Sequence, residues 1–151
     1  MAKQLVKCGA VAQPIGPYSL GVRSGNLVFV SGTVGWRPDG TVSADIREQC
    51  RQMYENVRQV LTSAGSSLDD VISTTTYLVN TGDYRALNEV RAKYFKKDPP
   101  ASAVVVVKEL VRPDLLVEVE AVAEIRTKRA GAARSARPAA RKPRRIRSQR
   151  L

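Results

Sequence analysis

The segment from Asp45 to Ala64 constrains the fold most, because its apolar residues recur at spacings of three and four. This period predicts an amphipathic α-helix whose apolar stripe must be covered by another layer of the fold. Asp45 and Glu48 have the spacing of a capping box at the start of the helix. Gly65 fits the left-handed backbone position that ends many helices. The stripe consists of Ile46, Cys50, Met53, Val57, Val60, Leu61 and Ala64.

Strand patterns flank this helix on both sides in the sequence. Short runs rich in β-branched and aromatic residues, bounded by Gly and Pro, are typical of strands. Such runs mixed with two helical segments predict an α+β fold, in which both helices cover one face of a mixed sheet. The predicted strands span residues 3–7, 19–23, 27–30, 71–79, 104–107 and 116–125, and the second helix spans residues 84–95.

Two of these strands have patterns that also predict which of their faces are buried. Val104–Val107 is uniformly apolar, which predicts a strand buried on both faces. Residues 116–125 alternate apolar side chains with Glu118, Glu120 and Glu124, so one face is apolar and the other carries carboxylates. Two interpretations of Glu120 stay open at this point. It is a carboxylate on a solvated strand face, or it points into a pocket where it orients or activates a water.

The positive charge of the chain is concentrated at its C-terminal end. The whole chain has a net charge of +11, but residues 1–126 contribute +1 and residues 127–151 contribute +10. We therefore expect a folded domain over residues 1–126. The remaining tail has too few large apolar residues to offset the entropy of ordering, which predicts disorder. The tail either contacts nucleic acid or another polyanion nonspecifically, or only solubilises the chain.

Several classes of chemistry are excluded by residue content. The chain has no His, so Ser-His-Asp triads, Cys-His pairs, His-ligated metals and paired-His ribonuclease chemistry are ruled out. Cys8 and Cys50 form no CxxC motif, and we expect reduced thiols in a cytoplasmic protein. No apolar run reaches the roughly 18 residues of a membrane helix, so we expect no membrane partner.

Three short polar patterns carry candidate site residues. The turn at residues 16–19 presents the phenol of Tyr18, although tyrosines in turns are common. Ser31 and Gly32 follow a buried strand and offer a hydroxyl and free amide groups, which are the usual parts of an oxyanion or carboxylate site. Asn88 lies on the second helix, where it is either a site residue or simply solvated. Spacing alone thus predicts an α+β domain with a polar pocket.

Six motifs lie in order along residues 3–125, and together they resemble the Rid family (reactive intermediate/imine deaminase), also called the YjgF family. The resemblance implies a chorismate-mutase-like subunit that forms a homotrimer around a central barrel. It also implies three small-molecule clefts between adjacent subunits. The motifs are PIGPYS (14–19), GNLVFVSG (25–32), DIREQ (45–49), AGSSLDDV (64–71), NEV (88–90) and LVEVEAVA (116–123).

The resemblance also implies an activity and a set of site residues. Deaminating members of the family hydrolyse imines and enamines to 2-keto acids and ammonia, without a cofactor or a metal. On this resemblance, Glu120 holds the attacking water. The family positions that bind the ligand correspond here to Tyr18, Ser31, Gly32, Asn88 and Ser102.

The last of these positions departs from the family pattern. Deaminating members have an Arg there, which pairs with the substrate carboxylate, whereas this chain has Ser102. A hydroxyl offers one neutral hydrogen bond in place of a charged fork. Arg91 and Arg112 lie elsewhere in the pattern and are not assigned to the site. We therefore expect a protein that binds a small ligand without a free carboxylate, or binds the carboxylate differently, and that hydrolyses an imine-type group through Glu120 and water. The alternative is a non-catalytic trimer that binds RNA, DNA or ribosomes through its tails.

Overall fold

A computed structural model describes residues 2–126 of the chain, and the predicted tail at residues 127–151 lies outside the described residues. The described part contains six strands and two α-helices, which confirms the expected α+β class. In chain order, the elements are β1 (Gln4–Val6), β2 (Gly21–Ser24), β3 (Leu27–Val34), α1 (Ile46–Ser63), β4 (Val71–Leu78), α2 (Tyr84–Tyr94), β5 (Ala101–Val106) and β6 (Val117–Glu124).

The strands form one mixed sheet in the order β1-β2-β3-β6-β4-β5. All neighbours pair antiparallel except β4 and β5, which are parallel and are connected through α2. A parallel pair needs such a crossover, because the chain must return to the starting edge of the sheet before the second strand begins, and a tight turn cannot span that distance. Both helices pack on one face of the sheet, and the core lies between them and that face. Neither helix within residues 2–126 combines the length and the hydrophobicity needed to cross a bilayer.

Helix α1 begins and ends where its sequence predicts. The Asp45 carboxylate accepts a hydrogen bond from the backbone N–H of Glu48 at 2.9 Å, which caps the first turn. At the other end, Gly65 has a φ of +82°, a conformation that glycine adopts without steric cost. Five of the seven residues of the predicted stripe are buried, including the fully buried free thiol of Cys50, and Ile46 and Ala64 are half-buried. The helix also buries three residues outside the predicted stripe, Gln49, Tyr54 and Asn56.

The prediction that Val104–Val107 is buried on both faces is wrong for the single chain. Val105 is 45% exposed and Val106 is 50% exposed. The reason is position in the sheet: β5 is an edge strand with only β4 beside it, and the helices cover one face only. Phe29 on β3 is also 46% exposed and Ile72 on β4 is 45% exposed. The face of the sheet without helices, here called the open face, therefore presents large apolar side chains.

Candidate functional site

A β-bulge in β3 shapes the first groove, which lies on the open face of the sheet. Val30 pairs with Ala121 and Thr33 pairs with Val119, so Ser31 and Gly32 together lie opposite Glu120. Bulges of this kind redirect side chains and are frequent next to active sites. The groove has a cavity volume of about 350 Å³. Its lining includes Tyr18, Ser31, Gly32, Trp36, Glu118 and Glu120, and we call it the carboxylate groove.

Glu120 is exposed in this groove and is oriented by a neighbouring strand. The hydroxyl of Tyr77 donates a hydrogen bond to Glu120 Oε2 at 3.0 Å. This hydrogen bond, together with the charge of Glu120, raises the pKa of the Tyr77 phenol above its ordinary value. Within residues 2–126, Glu120 Oε1 has no hydrogen-bond partner, so it is open to a water or a ligand. The arrangement suits a carboxylate that accepts a proton from a bound water.

Glu118 is a second carboxylate in the groove, and the sequence pattern assigned it only to the strand face. Its side chain extends over Gly32, where a Cβ atom would overlap the carboxyl oxygen. A glycine is therefore required at position 32 for this placement. Burial, and then the charge of Glu120, raise the pKa of Glu118 above its ordinary value of 4.5. A carboxyl group with a raised pKa is suited to hold and donate a proton within a site.

The raised pKa of Glu118 predicts a specific dependence of stability on pH. The folded protein holds the Glu118 proton more tightly than the unfolded chain, so this group's contribution is complete below pH 4.5 and is lost as pH rises through the raised pKa. In Glu118→Gln, the decline of Tm upward from pH 4.5 should be smaller than in the wild type. Thermal unfolding followed by circular dichroism from pH 4 to 8 measures it. Glu124→Gln, an exposed carboxylate on the same strand, serves as the control, and identical curves for wild type and Glu118→Gln would contradict the prediction.

Tyr18 and Ser31 both line the carboxylate groove, but the hydroxyl and the N–H of Ser31 are not free to donate to a ligand. The Tyr18 side chain is 47% exposed, and its backbone N–H donates to the carbonyl of Gly16 at 2.9 Å in a tight turn. The expectation that Ser31 offers free donors is wrong. Its N–H donates to the Leu20 carbonyl at 3.1 Å, and its hydroxyl donates to the Ser19 carbonyl at 2.6 Å. The Ser31 oxygen can still accept a hydrogen bond, but the residue has no donor left for an oxyanion.

Asn88 and Ser102 lie in a second groove, apart from the other four predicted residues. This groove lies between α2 and the edge strand β5, and its cavity volume is about 430 Å³. Ser102 pairs with the buried Thr74, whose hydroxyl donates to Ser102 Oγ at 3.2 Å, which places Ser102 on the face that bears the helices. Glu120 pairs with Thr75, on the opposite face. The single chain therefore does not bring the six predicted residues together.

Arg91 joins the two residues of the second groove and is not among the site residues predicted from the sequence. Its Nη1 donates to Ser102 Oγ at 2.8 Å, and its Nη2 donates to Asn88 Oδ1 at 2.5 Å. The spacing of three between Asn88 and Arg91 places both on one helix face. This spacing is the only feature of the sequence that indicates a role for Arg91 beside Asn88. The contact with Ser102 depends on how α2 packs beside β5. We call this cavity the guanidinium groove; it is lined by Asn88, Arg91, Phe95, Pro99, Pro100 and Ser102.

Arg91 differs from most arginines of the described chain in its partners. Residues 2–126 contain nine arginines. Six of them, among them Arg112 with Asp114, lie within 4.0 Å of a carboxylate. Arg91 has no such carboxylate in this part of the chain, and both of its side-chain partners are neutral. Among the same residues, no group of three or more Cys, Asp or Glu side chains is placed to hold a metal ion.

Comparison with known proteins identifies the family. The family model described as Endoribonuclease L-PSP matches residues 9–125. A RutC family protein of Pyrococcus abyssi is 39% identical, and the match covers 82% of this chain and 98% of the relative. A 2-iminobutanoate/2-iminopropanoate deaminase of Dermatophagoides farinae is 33% identical, with 82% and 97% covered.

A solved structure supports the same assignment through its fold. The structure of YyfA from Yersinia pestis, described as a protein of unknown function of the conserved Rid family, has a TM-score of 0.78 and is 33% identical, with 82% of this chain and 99% of that chain covered. The resemblance found in the sequence motifs is thereby confirmed. The chain belongs to the Rid family, which is also called the YjgF or endoribonuclease L-PSP family.

Proposed function

We propose that this protein hydrolyses small imines and enamines to a carbonyl compound and ammonia, without a cofactor, in clefts between the subunits of a homotrimer. The observation that carries the proposal is the bulge that sets Ser31 and Gly32 opposite Glu120 in the carboxylate groove. The deaminase name of the Dermatophagoides farinae relative supports the same reaction class.

The carboxylates of the groove supply the proton transfers that the reaction needs. Glu120 takes a proton from a water as the water oxygen bonds to the imine carbon, the π electrons of the C=N bond move to nitrogen, and a proton from Glu118 on that nitrogen completes the carbinolamine. The carbinolamine then loses ammonia: Glu118, now a carboxylate, takes the hydroxyl proton, the C=O bond forms, the C–N bond breaks, and the proton held by Glu120 passes to the departing nitrogen. Glu118, whose pKa is raised, is suited to hold the proton that the imine nitrogen takes first.

Release of ammonia is the direct test of this reaction. An amino acid oxidase acting on an L-amino acid generates the imine in solution, and semicarbazide traps whatever imine has not been hydrolysed. Wild-type protein should accelerate ammonia release and lower the yield of semicarbazone in proportion to its concentration. Rates equal to those in buffer, with protein that is folded and of the expected mass, would contradict the proposal.

The homotrimer is supported by the surfaces that the single chain leaves uncovered. The predicted site residues lie in two grooves on opposite faces of the sheet, and the open face exposes Phe29, Ile72 and Val105. Exposed apolar patches of this kind mark interaction surfaces. A neighbouring subunit on this face would bury them and set one groove against the other.

The assembly is tested by the native mass and by one substitution on the open face. Sedimentation equilibrium of the wild type should give three times the chain mass. Val105→Glu places a charge within the proposed interface and should shift the mass toward that of one chain. Thr62→Glu, on the exposed side of α1, should leave the trimer intact. A monomeric wild type, or a Val105→Glu variant that is fully trimeric, would contradict the assembly.

A second function rests on the net charge of +10 over residues 127–151. We propose it as the alternative: nonspecific binding of RNA or DNA through the tails, strengthened because a trimer presents three of them. Deletion of residues 127–151 separates the two functions. Fluorescence anisotropy with a labelled RNA should show salt-dependent binding that the deletion removes, whereas ammonia release should be unchanged. For either function we propose a cytoplasmic location, with which the free thiols of Cys8 and Cys50 are consistent.

A further inference from the structure

We infer that Arg91 binds the carboxylate of the ligand, so that the guanidinium groove selects substrates derived from 2-amino acids. The inference rests on the proposed function for the reaction, and adds the class of substrate and the residue that recognises it. The family resemblance implies an arginine in deaminating members at the position of Ser102, and here the side chain of Arg91 reaches Ser102 from α2. The charged group is thus present, on a different element of the fold.

The hydrogen bonds of Arg91 hold its guanidinium without neutralising it. Ser102 and Asn88 are both neutral, and no carboxylate of residues 2–126 lies within 4.0 Å. Arg85, six residues earlier on the same helix, is instead paired with Glu89. A positioned, half-buried guanidinium without a counterion in a groove is suited to bind an anion from solution.

The remaining donors of Arg91 match the shape of a carboxylate. A guanidinium has five N–H donors, two on each terminal nitrogen and one on Nε. Ser102 takes one from Nη1 and Asn88 takes one from Nη2, which leaves one on each terminal nitrogen and the Nε–H. A carboxylate needs two parallel N–H groups, so it can bind while both existing hydrogen bonds stay in place. Ser102 and Asn88 then act as positioning residues for Arg91.

A binding experiment that needs no turnover tests the inference. The probes are 2-oxobutanoate, a 2-keto acid, and 2-butanone, which has a similar carbon chain without the carboxylate. Calorimetric titration of the full-length protein should show that the wild type prefers 2-oxobutanoate. Arg91→Gln should weaken 2-oxobutanoate binding by about a hundredfold and abolish the preference, because a charged hydrogen-bond partner is lost. Arg85→Gln removes an exposed arginine from the same helix and should bind like the wild type.

A rescue variant separates recognition from a structural role. Arg91→Gln combined with Ser102→Arg returns a guanidinium to the groove from β5, and it should restore the preference for 2-oxobutanoate. A purely structural defect of Arg91→Gln would not be restored in this way. Circular dichroism of each variant shows whether the fold is retained.

The outcomes distinguish this inference from the proposed reaction. Arg91-dependent binding of 2-oxobutanoate without any ammonia release would overturn the reaction and leave the carboxylate site standing. Ammonia release from an imine of a 2-keto acid with an unchanged KM in Arg91→Gln would overturn the carboxylate site alone. A wild type that binds neither probe, or both equally, would also overturn it.

Discussion

Glu120→Gln is expected to lower kcat for imine hydrolysis by about 10²–10⁴-fold, the range typical of a lost general base. The amide has nearly the same shape as the carboxylate, and its oxygen can still accept the hydrogen bond from Tyr77. It cannot take a proton from water. Because Arg91 and not Glu120 is the proposed anchor of the carboxylate, binding of 2-oxobutanoate should change little. The measurement is the rate of ammonia release at saturating substrate.

The ionisation of the Tyr77 phenol shows independently whether Glu120→Gln acts at the hydrogen bond between the two residues. The hydrogen bond and charge of Glu120 raise the pKa of Tyr77, so Glu120→Gln should move the ionisation of that phenol back toward its ordinary value of 10.0. Ultraviolet absorbance of tyrosinate during an alkaline titration records the shift. Glu124→Gln, which removes a carboxylate from the same strand, is the matched control and should retain both activity and the titration. Full activity of Glu120→Gln would remove Glu120 from the mechanism.

Gln49→Met is expected to cause the largest loss of stability, roughly 3–6 kcal/mol, as several backbone groups lose partners that each contribute about 1–3 kcal/mol. The Gln49 side chain is fully buried and makes three hydrogen bonds. Its Nε2 donates to the carbonyls of Ser43 at 2.8 Å and Asp114 at 2.7 Å, and its Oε1 accepts from the N–H of Leu116 at 2.9 Å. Methionine fills similar space but leaves all three groups unpaired.

These hydrogen bonds connect α1 to the segment that leads into β6, which carries Glu118 and Glu120. Urea denaturation at several protein concentrations measures the loss, because assembly contributes to the apparent stability. Gln59→Met is the matched control. It lies on the same helix, is half-buried, and within residues 2–126 makes only one long hydrogen bond with its side chain, to Glu55 at 3.4 Å, so we expect a change below about 1 kcal/mol. Similar losses in the two variants would show that the three hydrogen bonds of Gln49 contribute little.

Local patterns predicted the elements of the fold well, since each depends on residues close in the chain. The apolar period of α1, its Asp45 cap and the positive φ of Gly65 are all as the sequence indicates. The alternation in β6 likewise predicts buried Val117 and Val119 on one face and carboxylates on the other. The burial of Gln49 was not predicted, because a polar residue beside an apolar stripe can face either solvent or the core.

The residue pattern of a single strand did not predict which other segments of the chain lie beside it. Val104–Val107 has the composition of a fully buried strand, but its burial depends on the place of β5 at the edge of the sheet and on the absence of a helix over its open face. Ser31 has the donors of an oxyanion site, but the carbonyls of Ser19 and Leu20 already use them. In both cases the deciding partners come from other segments of the chain.

The sequence by itself determined the helices and strands, the α+β class and the family, because period, capping and motif order are local properties. Only the tertiary structure decided the site. A bulge sets Ser31 and Gly32 opposite Glu120, and the packing of α2 beside β5 places the guanidinium of Arg91 on Ser102. The physical reason is that hydrogen-bond partners far apart in the chain are chosen by strand register and by packing, which local spacing does not specify.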